Sequence, residues 1–213
     1  MDFRNAKELL KVCQEQSLSI SAVMLQRELT EGEQDPEETD RKMDRVLEIM
    51  KSAASTPIHT PVKSMGGLIG GEAKKISDHK DAGKGLCGDL LERAVIYAMA
   101  TLETNASMGV IVASPTAGSA GIVPGLLLAL QETYDLSDEQ IKQGLYNASA
   151  IGYLAMRNAT VAGAVGGCQA EVGIASAMAA SATVELMGGS PEQSLAAAST
   201  VLMNMLGLVC DPV

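Results

Sequence analysis

Residues 169–187 read QAEVGIASAMAASATVELM. Alanine, glycine and serine recur on every side of the helix that this stretch would form, so no face is reserved for solvent. Small side chains all round allow neighbouring helices to approach closely from every direction. We therefore predict that this stretch is a buried central helix with Cys168 at its N-terminus.

The composition of the whole chain favours helices packed on helices. Of its 213 residues 46% are apolar, but tryptophan is absent, phenylalanine occurs once and tyrosine four times. A core of alanine, leucine, isoleucine, valine, methionine and glycine is typical of closely packed helices. Strand patterns do not alternate with helical ones, which argues against a doubly wound α/β fold. The predicted fold class is all-α: a multi-helix globular domain with a central Gly/Ala-rich buried helix.

Charge divides the chain into an outer and an inner part. Of the 26 acidic and 16 basic residues, only ten lie beyond residue 104. This distribution is explained if the first half of the chain forms a solvated layer of helices and the second half forms an apolar core. We expect a single domain over residues 1–213, made of charged outer helices (1–55), a glycine-rich loop region (56–85) and an apolar helical core (86–213).

Three helix starts are marked by their residues. Pro36 lies at a likely first helical position and begins the third helix of the outer part, whose periodicity is lost from residue 55. Ser137 and Ser190 each open a capping-box pattern, so a helix is predicted to follow each of them.

The balance of charge bears on partners and location. The net charge of −10 and the pI near 4.7 argue against a nucleic-acid partner and against binding to anionic membranes. Residues 1–20 lack the succession of basic, apolar and small residues that is typical of a signal peptide. The uncharged run 106–131 contains two prolines and four glycines, which disfavour a membrane span. We therefore expect a cytoplasmic protein, with no nucleic acid and no membrane as partner, whose cysteines are reduced thiols or metal ligands.

Two cysteines lie in runs of low charge flanked by glycine or proline, Gly166-Gly167-Cys168 and Cys210-Asp211-Pro212. A thiol at a helix N-terminus is biased toward thiolate, the form that binds iron. Cys168 and Cys210 are 42 positions apart and form no Cys-x-x-Cys motif, which by itself favours ordinary packing residues. The helices that follow Cys168 and precede Cys210 must pack together, so the two sulfurs are expected to be close. Cys13 and Cys87 are interpreted as structural.

Two polar segments suit an anionic group of a substrate. The glycine loop, Ser64–Gly71, has four glycines in six residues whose amide N–H groups can point at an anion. The hydroxyl turn, Thr116–Ser119, offers hydroxyl groups before a helix. A plain linker and an ordinary capping turn are the alternatives, and Asn158 either donates to an anion or caps its own helix. The predicted substrate-binding residues are Ser64, Gly66, Gly67, Gly70, Thr116, Ser119 and Asn158.

His59 and Lys74 are the candidates for a catalytic base. His59 lies between two prolines close to the glycine loop, and an imidazole titrates near neutral pH. Lys74 follows the loop directly, whereas His79 is interpreted as a surface residue. Glu171, in the first turn of the central helix, either stabilises the helix dipole or serves the site.

The runs around Cys168 and Cys210, together with the run from Ser114 to Gly125, resemble the catalytic α chain of the bacterial iron–sulfur L-serine dehydratases. The resemblance extends from Phe3 to the last residue. It implies that Cys168 and Cys210 are two ligands of a [4Fe–4S] cluster, whose iron acts as a Lewis acid while L-serine is converted to pyruvate and ammonia.

The same resemblance implies parts that are missing from the chain as given. These are a third cluster cysteine beyond residue 213 and a separate regulatory β chain. The chain is therefore expected to be incomplete at its C-terminus and, alone, to hold no intact cluster and to be inactive. Whether it forms a homo-oligomer is left open.

Three other functions are compatible with the residues. A cluster-dependent cysteine desulfidase would release sulfide rather than deaminate serine. A pyridoxal-phosphate-dependent dehydratase would use Lys74 for a Schiff base with a characteristic absorbance. A non-catalytic binding or assembly module would be stabilised by its ligand without turnover.

Overall fold

The computed structural model describes residues 2–32 and 35–207, and every regular element within them is a helix. This confirms the predicted all-α class for that part of the chain. No helix there combines the length and the apolar character needed to cross a membrane. The helices, in chain order, are α1 (Ala6–Gln16), α2 (Ile20–Glu31), α3 (Pro36–His59), α4 (Glu72–Asp81), α5 (Asp89–Ala106), α6 (Ile122–Tyr134), α7 (Asp138–Asn158), α8 (Gly163–Gly166), α9 (Cys168–Leu186) and α10 (Pro191–Met205).

The chain divides into two compact units. The first contains the residues up to Asp44 and those from Asp138 onward, and the second contains Arg45–Ser137. The predicted functional segments divide in the same way. Cys168 and Asn158 belong to the first unit, and the glycine loop and the hydroxyl turn belong to the second.

Helix α9 lies at the centre of the first unit, between α7 and α10. Its small residues let both neighbours come close. A Cβ on Gly173 would lie 3.4 Å from the Cβ of Met205 in α10, and a Cβ on Gly152 of α7 would lie 3.2 Å from Met178. The predicted central buried helix is thereby confirmed. The buried residues of α9 are Gly173, Ile174, Ala175, Ala177, Met178, Ala179, Ser181 and Ala182.

The N-terminal segment packs against α2 and α7. Phe3 is fully buried, and its ring meets that of Tyr153 edge-on with 5.4 Å between the centroids. Arg27 lies 4.0 Å from the centroid of the Tyr153 ring and donates to the Asp2 carboxylate at 3.0 Å. Cys13 is buried in the same cluster, as expected for a packing residue.

Glu185, near the end of α9, caps the N-terminus of α2. Its carboxylate accepts the N–H of Ile20 at 3.0 Å and that of Ser21 at 3.4 Å. It also accepts a hydrogen bond from the Asn147 amide at 2.7 Å. Negative charge at a helix N-terminus is favoured by the unpaired amides and the helix dipole. A residue distant in sequence therefore supplies this cap.

Helix α3 continues beyond the point where the sequence loses its periodicity. It runs to His59 with Pro57 inside it. Proline has no N–H for the carbonyl four residues earlier, which is that of Ala53. That carbonyl instead accepts the hydroxyl of Thr104, in α5, at 2.9 Å. The expected break at residue 55 is therefore wrong, because another helix satisfies the group that the proline leaves unpaired.

Helices α5 and α6 come close in the second unit. A Cβ on Gly121 would lie 2.5 Å from the Ala98 carbonyl oxygen, so only glycine fits at this crossing. Gly121 lies two residues after the hydroxyl turn, and the close packing therefore fixes the turn beside α5. Within the region that the sequence assigns to loop, Glu72–Asp81 forms the short helix α4.

Candidate active site

Cys168 is the first residue of α9 and is exposed. The residue before it, Gly167, has a φ of 76°, a conformation that side chains other than glycine rarely adopt. This turn separates the single-turn helix α8 from α9 and leaves the thiol at the positive end of a 19-residue helix. The predicted position at the start of the helix is therefore confirmed, and its bias toward thiolate stays a prediction.

The chain after α10 returns to the start of α9. The N–H of Gly207 donates to the side-chain oxygen of Gln169, the neighbour of Cys168, at 3.0 Å. Cys210, the second predicted cluster ligand, lies outside the residues that the structure describes. It follows Gly207 by three residues in the sequence.

Cys13 and Cys87 each lack at least one of the two features of Cys168, which are its exposure and its position at the start of a helix. Cys13 is 2% exposed, and burial, followed by the negative charges of Glu185 and Glu192, raises the pKa of its thiol to about 11. It is therefore protonated at neutral pH and a poor ligand for iron. Cys87 is exposed but precedes Gly88, the N-terminal cap of α5, rather than beginning a helix.

Glu171, in the first turn of α9, is held against Gly163 of α8. A Cβ on Gly163 would lie 2.6 Å from a carboxylate oxygen of Glu171, so the carboxylate lies close to the backbone of α8. Its predicted alternatives, dipole stabilisation and a role in the site, both stay predictions.

The hydroxyl turn is built by its own side chains. The hydroxyls of Thr116 and Ser119 lie 3.1 Å apart, and the peptide bond between Ser114 and Pro115 is cis. Ser119 is 1% exposed, and its hydroxyl also donates to the Ser114 carbonyl at 3.4 Å. The hydroxyl of Ser114 is buried and has no hydrogen-bond partner among the described residues. Since buried polar groups are nearly always paired, this hydroxyl is a candidate for ligand contact that the sequence reasoning did not single out.

The glycine loop already pairs several of its amides within the chain. Gly67 donates to the Ser64 carbonyl at 2.9 Å, and Ile69 donates to the Ser64 hydroxyl at 3.1 Å. Gly70 donates to the Glu72 carboxylate at 2.6 Å. A substrate carboxylate that used these amides would have to replace an internal acceptor. At Gly66, no atom of the described residues lies within 4 Å of where a Cβ would be.

The structure does not place the two predicted base candidates together. His59 ends α3, is exposed and lines a cavity of about 330 Å³ in the second unit with Lys80, Arg93 and Tyr97. Lys74, on α4, is not among the residues of that cavity. Both carboxylate oxygens of Asp78 bind its ammonium group, at 2.8 and 2.9 Å.

One wall of this cavity is an ion network that the sequence reasoning missed. Arg93 binds Asp89 at 2.6 Å and also binds Glu132, which in turn accepts the hydroxyl of Tyr97. Lys80 binds the second oxygen of Asp89 at 2.7 Å. Hydrogen bonds from Arg93 and then Lys80 lower the pKa of Asp89 to about 2, and burial followed by the bond to Glu132 raises the pKa of Tyr97 to about 12. The spacing of Asp89 and Arg93 indicates a helical pair, but no local pattern indicates Glu132.

Replacing Asp89 by asparagine is expected to lower the melting temperature at pH 7 but not near pH 2. Because the folded pKa of Asp89 lies below its ordinary value of 3.8, the ionised group stabilises the fold above that pH. This contribution is lost as the pH falls from about 4 to about 2. The effect should be modest because the pair is partly exposed. Thermal unfolding followed by circular dichroism tests it, and equal destabilisation at both pH values would contradict it.

Asn158 is placed as a structural residue of the first unit. Its side-chain amide donates to the Arg4 carbonyl at 2.8 Å and to the Leu154 carbonyl at 2.9 Å. Both amide hydrogens are thereby directed at the backbone, which favours the capping alternative. Its predicted contact with substrate stays a prediction.

Among the described residues no three or more histidine, cysteine, aspartate or glutamate side chains form a group suited to a metal ion. The structure does bring the two segments predicted to bind an anion to one place. Both contact the last turn of α5: Met65 donates its N–H to the Ala106 carbonyl at 3.4 Å, and Asn105 donates to the Ala117 carbonyl at 3.1 Å.

Comparison with known proteins places this geometry in context. Residues 15–213 match the model of the family described as serine dehydratase alpha chain. The chain is 48% identical to the probable L-serine dehydratase alpha chain of Bacillus subtilis over 211 residues, which cover 99% of this chain and 70% of that one. It is 43% identical to the L-serine dehydratase alpha chain of Peptoniphilus asaccharolyticus over 208 residues, 98% of this chain and 71% of that one. It is also 37% identical, over 99% of its length, to an L-serine dehydratase of Streptomyces coelicolor, of which it spans only 46%.

Proposed function

This chain belongs to the serine dehydratase alpha chain family, and we propose that it deaminates L-serine to pyruvate and ammonia with a [4Fe–4S] cluster held in part by Cys168 and Cys210. The observation that carries the proposal is the hydrogen bond from Gly207 to Gln169. It brings Gly207, which precedes Cys210 by three residues in the sequence, to Gln169, the neighbour of Cys168.

The residues present fit such a cluster. Iron–sulfur clusters are held by thiolates, and Cys168 combines exposure with the positive end of a long helix. The preceding glycines carry no side chain that would crowd a bulky inorganic group. When bound, the cluster supplies a Lewis-acid iron for the hydroxyl group that serine loses.

The remaining work falls to side chains of the chain itself. We assign the serine carboxylate to the hydroxyl turn, through Thr116, Ser119 and the buried Ser114 hydroxyl, which has no hydrogen-bond partner in the part of the chain that the structure describes. Such a turn at the start of α6 offers hydroxyl and amide donors to an anion. The α-proton passes to a base, for which His59 and Lys74 are the candidates.

After loss of the proton and of water, the enamine rearranges to an imine, whose hydrolysis gives pyruvate and ammonia. The glycine loop, with Ser64, Gly66, Gly67 and Gly70, is the second segment that we assign to the substrate. We propose that it positions the substrate, because the internal acceptors of its amides already hold it in one conformation.

A second chain completes the enzyme in this proposal. The name alpha chain, carried by two of the relatives, implies a beta chain in those proteins. The Streptomyces coelicolor relative is about twice as long as this chain. We propose that a separate regulatory β chain binds this chain and that the enzyme works in the cytoplasm.

The test is turnover by the full-length α chain assembled with its β chain and reconstituted with iron and sulfide without oxygen. Pyruvate should form from L-serine in step with ammonia, and the enzyme should lose activity in air as its visible absorbance bleaches. Release of sulfide from L-cysteine with no pyruvate from L-serine would instead identify a desulfidase. Activity that requires added pyridoxal phosphate would also contradict the proposal.

A further inference from the structure

Glu103, on α5, is a buried carboxylate that the sequence reasoning did not single out. It is 1% exposed, and its two oxygens accept the N–H of Gly71 at 3.1 Å and the N–H of Ala73 at 2.8 Å. These amides join the end of the glycine loop to the first turn of α4. Glu103 thus fixes the C-terminal end of the glycine loop.

The start of α4 depends on this carboxylate for its cap. Its N-cap residue is Gly71, which has no side chain to offer and has a φ of 92°. Amides at a helix N-terminus need acceptors and favour negative charge. Glu103 supplies both from a residue that lies 30 positions further along the chain than Ala73.

The same turn of α5, residues 103–106, holds the other end of the glycine loop and the hydroxyl turn. The Ala106 carbonyl accepts the N–H of Met65 at 3.4 Å, and Asn105 donates to the Ala117 carbonyl at 3.1 Å. Thr104 binds this turn to α3 through the Ala53 carbonyl. Three consecutive side chains therefore contact three different segments of the second unit.

We infer that Glu103 is a positioning residue: the last turn of α5 sets the glycine loop and the hydroxyl turn relative to each other, and the Glu103 carboxylate is its principal contact. The inference rests on the proposed function for the identity of the reaction. Neither Glu103 nor Asn105 needs to touch the substrate, because each acts through the backbone of a segment that does.

Glu103→Gln preserves the size of the side chain but leaves only one acceptor oxygen for two amides. The new NH₂ group faces a backbone N–H, so one charge-assisted hydrogen bond is replaced by a clash of donors. In the full-length α chain with its β chain, the exchange of amide hydrogens over 64–73 should accelerate by about tenfold or more. The KM for L-serine should rise by a similar factor while kcat changes less, since binding geometry is affected before chemistry.

The first unit provides a matched control. Glu185 caps α2 by the same chemistry, with Ile20 and Ser21 as donors, but contacts no predicted substrate-binding segment. Glu185→Gln should accelerate exchange at the start of α2 and leave both the exchange over 64–73 and the KM unchanged. If Glu185→Gln raises the KM as strongly as Glu103→Gln does, the loss of any helix cap raises the KM, and the inference is wrong.

If Glu103→Gln accelerates amide hydrogen exchange only in the first turn of α4 and leaves the KM unchanged, Glu103 serves only as a helix cap. That result would also overturn the inference. Should Glu103→Gln fail to fold, Asn105→Ala decides, because it removes a contact without burying an unpaired hydrogen-bond donor. It should accelerate exchange over 114–121 and raise the KM, and an unchanged KM would be contrary to the inference. If the wild type does not act on L-serine, the proposed function is wrong, while the exchange measurements still decide what Glu103 positions.

Discussion

Replacing Cys168 by alanine is expected to abolish both the iron–sulfur absorbance and the formation of pyruvate from L-serine, and Cys210→Ala should do the same. Each change removes a thiolate ligand of the proposed cluster, and neither alanine nor a backbone group can replace it. The expected loss is complete rather than partial because the leaving hydroxyl then has no Lewis acid. The measurements are the visible absorbance, the iron content and the rate of pyruvate formation after anaerobic reconstitution of the full-length protein with its β chain.

The remaining cysteines are the controls for this experiment. Cys87→Ser removes an exposed thiol, and Cys13→Ala removes a buried one whose pKa is raised to about 11. Both variants should keep the absorbance and the activity, although Cys13→Ala should lower the melting temperature because it leaves a small cavity. Equal loss of iron from all of the variants would mean that no specific ligand has been identified.

Gly70→Ala is expected to raise the KM for L-serine by about tenfold or more, because the glycine loop can no longer keep its conformation. Gly70 has a φ of 143°, and a Cβ at this position would overlap the carbonyl oxygen of Val62. The strain is on the order of 1–3 kcal/mol, and the loop can relieve it only by moving. Steady-state kinetics with L-serine and a thermal melt of the same preparation measure the two consequences.

Gly188→Ala is the matched control for backbone strain. Gly188 also has a positive φ, 83°, but it lies in the first unit, where a Cβ would meet no atom within 4 Å. This variant should lower the melting temperature to a comparable extent and leave the KM unchanged. If Gly70→Ala alters only the melting temperature, the glycine loop has no part in binding the substrate.

Several features follow from the sequence because their causes are local. The small residues of 169–187 predict a helix with close neighbours on all sides, and α9 is such a helix. The capping box at Ser190 predicts the start of α10, and its reciprocal hydrogen bonds with Gln193 are present. Cys168 at the beginning of α9 follows from the glycines before it and the helix pattern after it. In each case, residues within a few positions of one another decide the outcome.

Other features were decided by residues far apart in the chain. The helical periodicity is lost from residue 55, yet α3 continues to His59 because Thr104 satisfies the carbonyl of Ala53. The amides of the glycine loop suggest an anion site, but the N–H of Gly71 already donates to Glu103, 32 residues further along the chain. No pattern in the sequence indicates which distant side chain will meet which backbone group.

The sequence by itself therefore determined the class of the fold, the central helix and the thiol at its start, because helix propensity, capping and side-chain size act over a few residues. The family is likewise contained in the sequence, through the runs around Cys168 and Cys210. Only the tertiary structure decided how the glycine loop and the hydroxyl turn are held, since Glu103 and Asn105 reach them across the packing of α4, α5 and α6. The physical reason is that buried amides and carbonyls must find partners, and folding brings those partners from other parts of the chain.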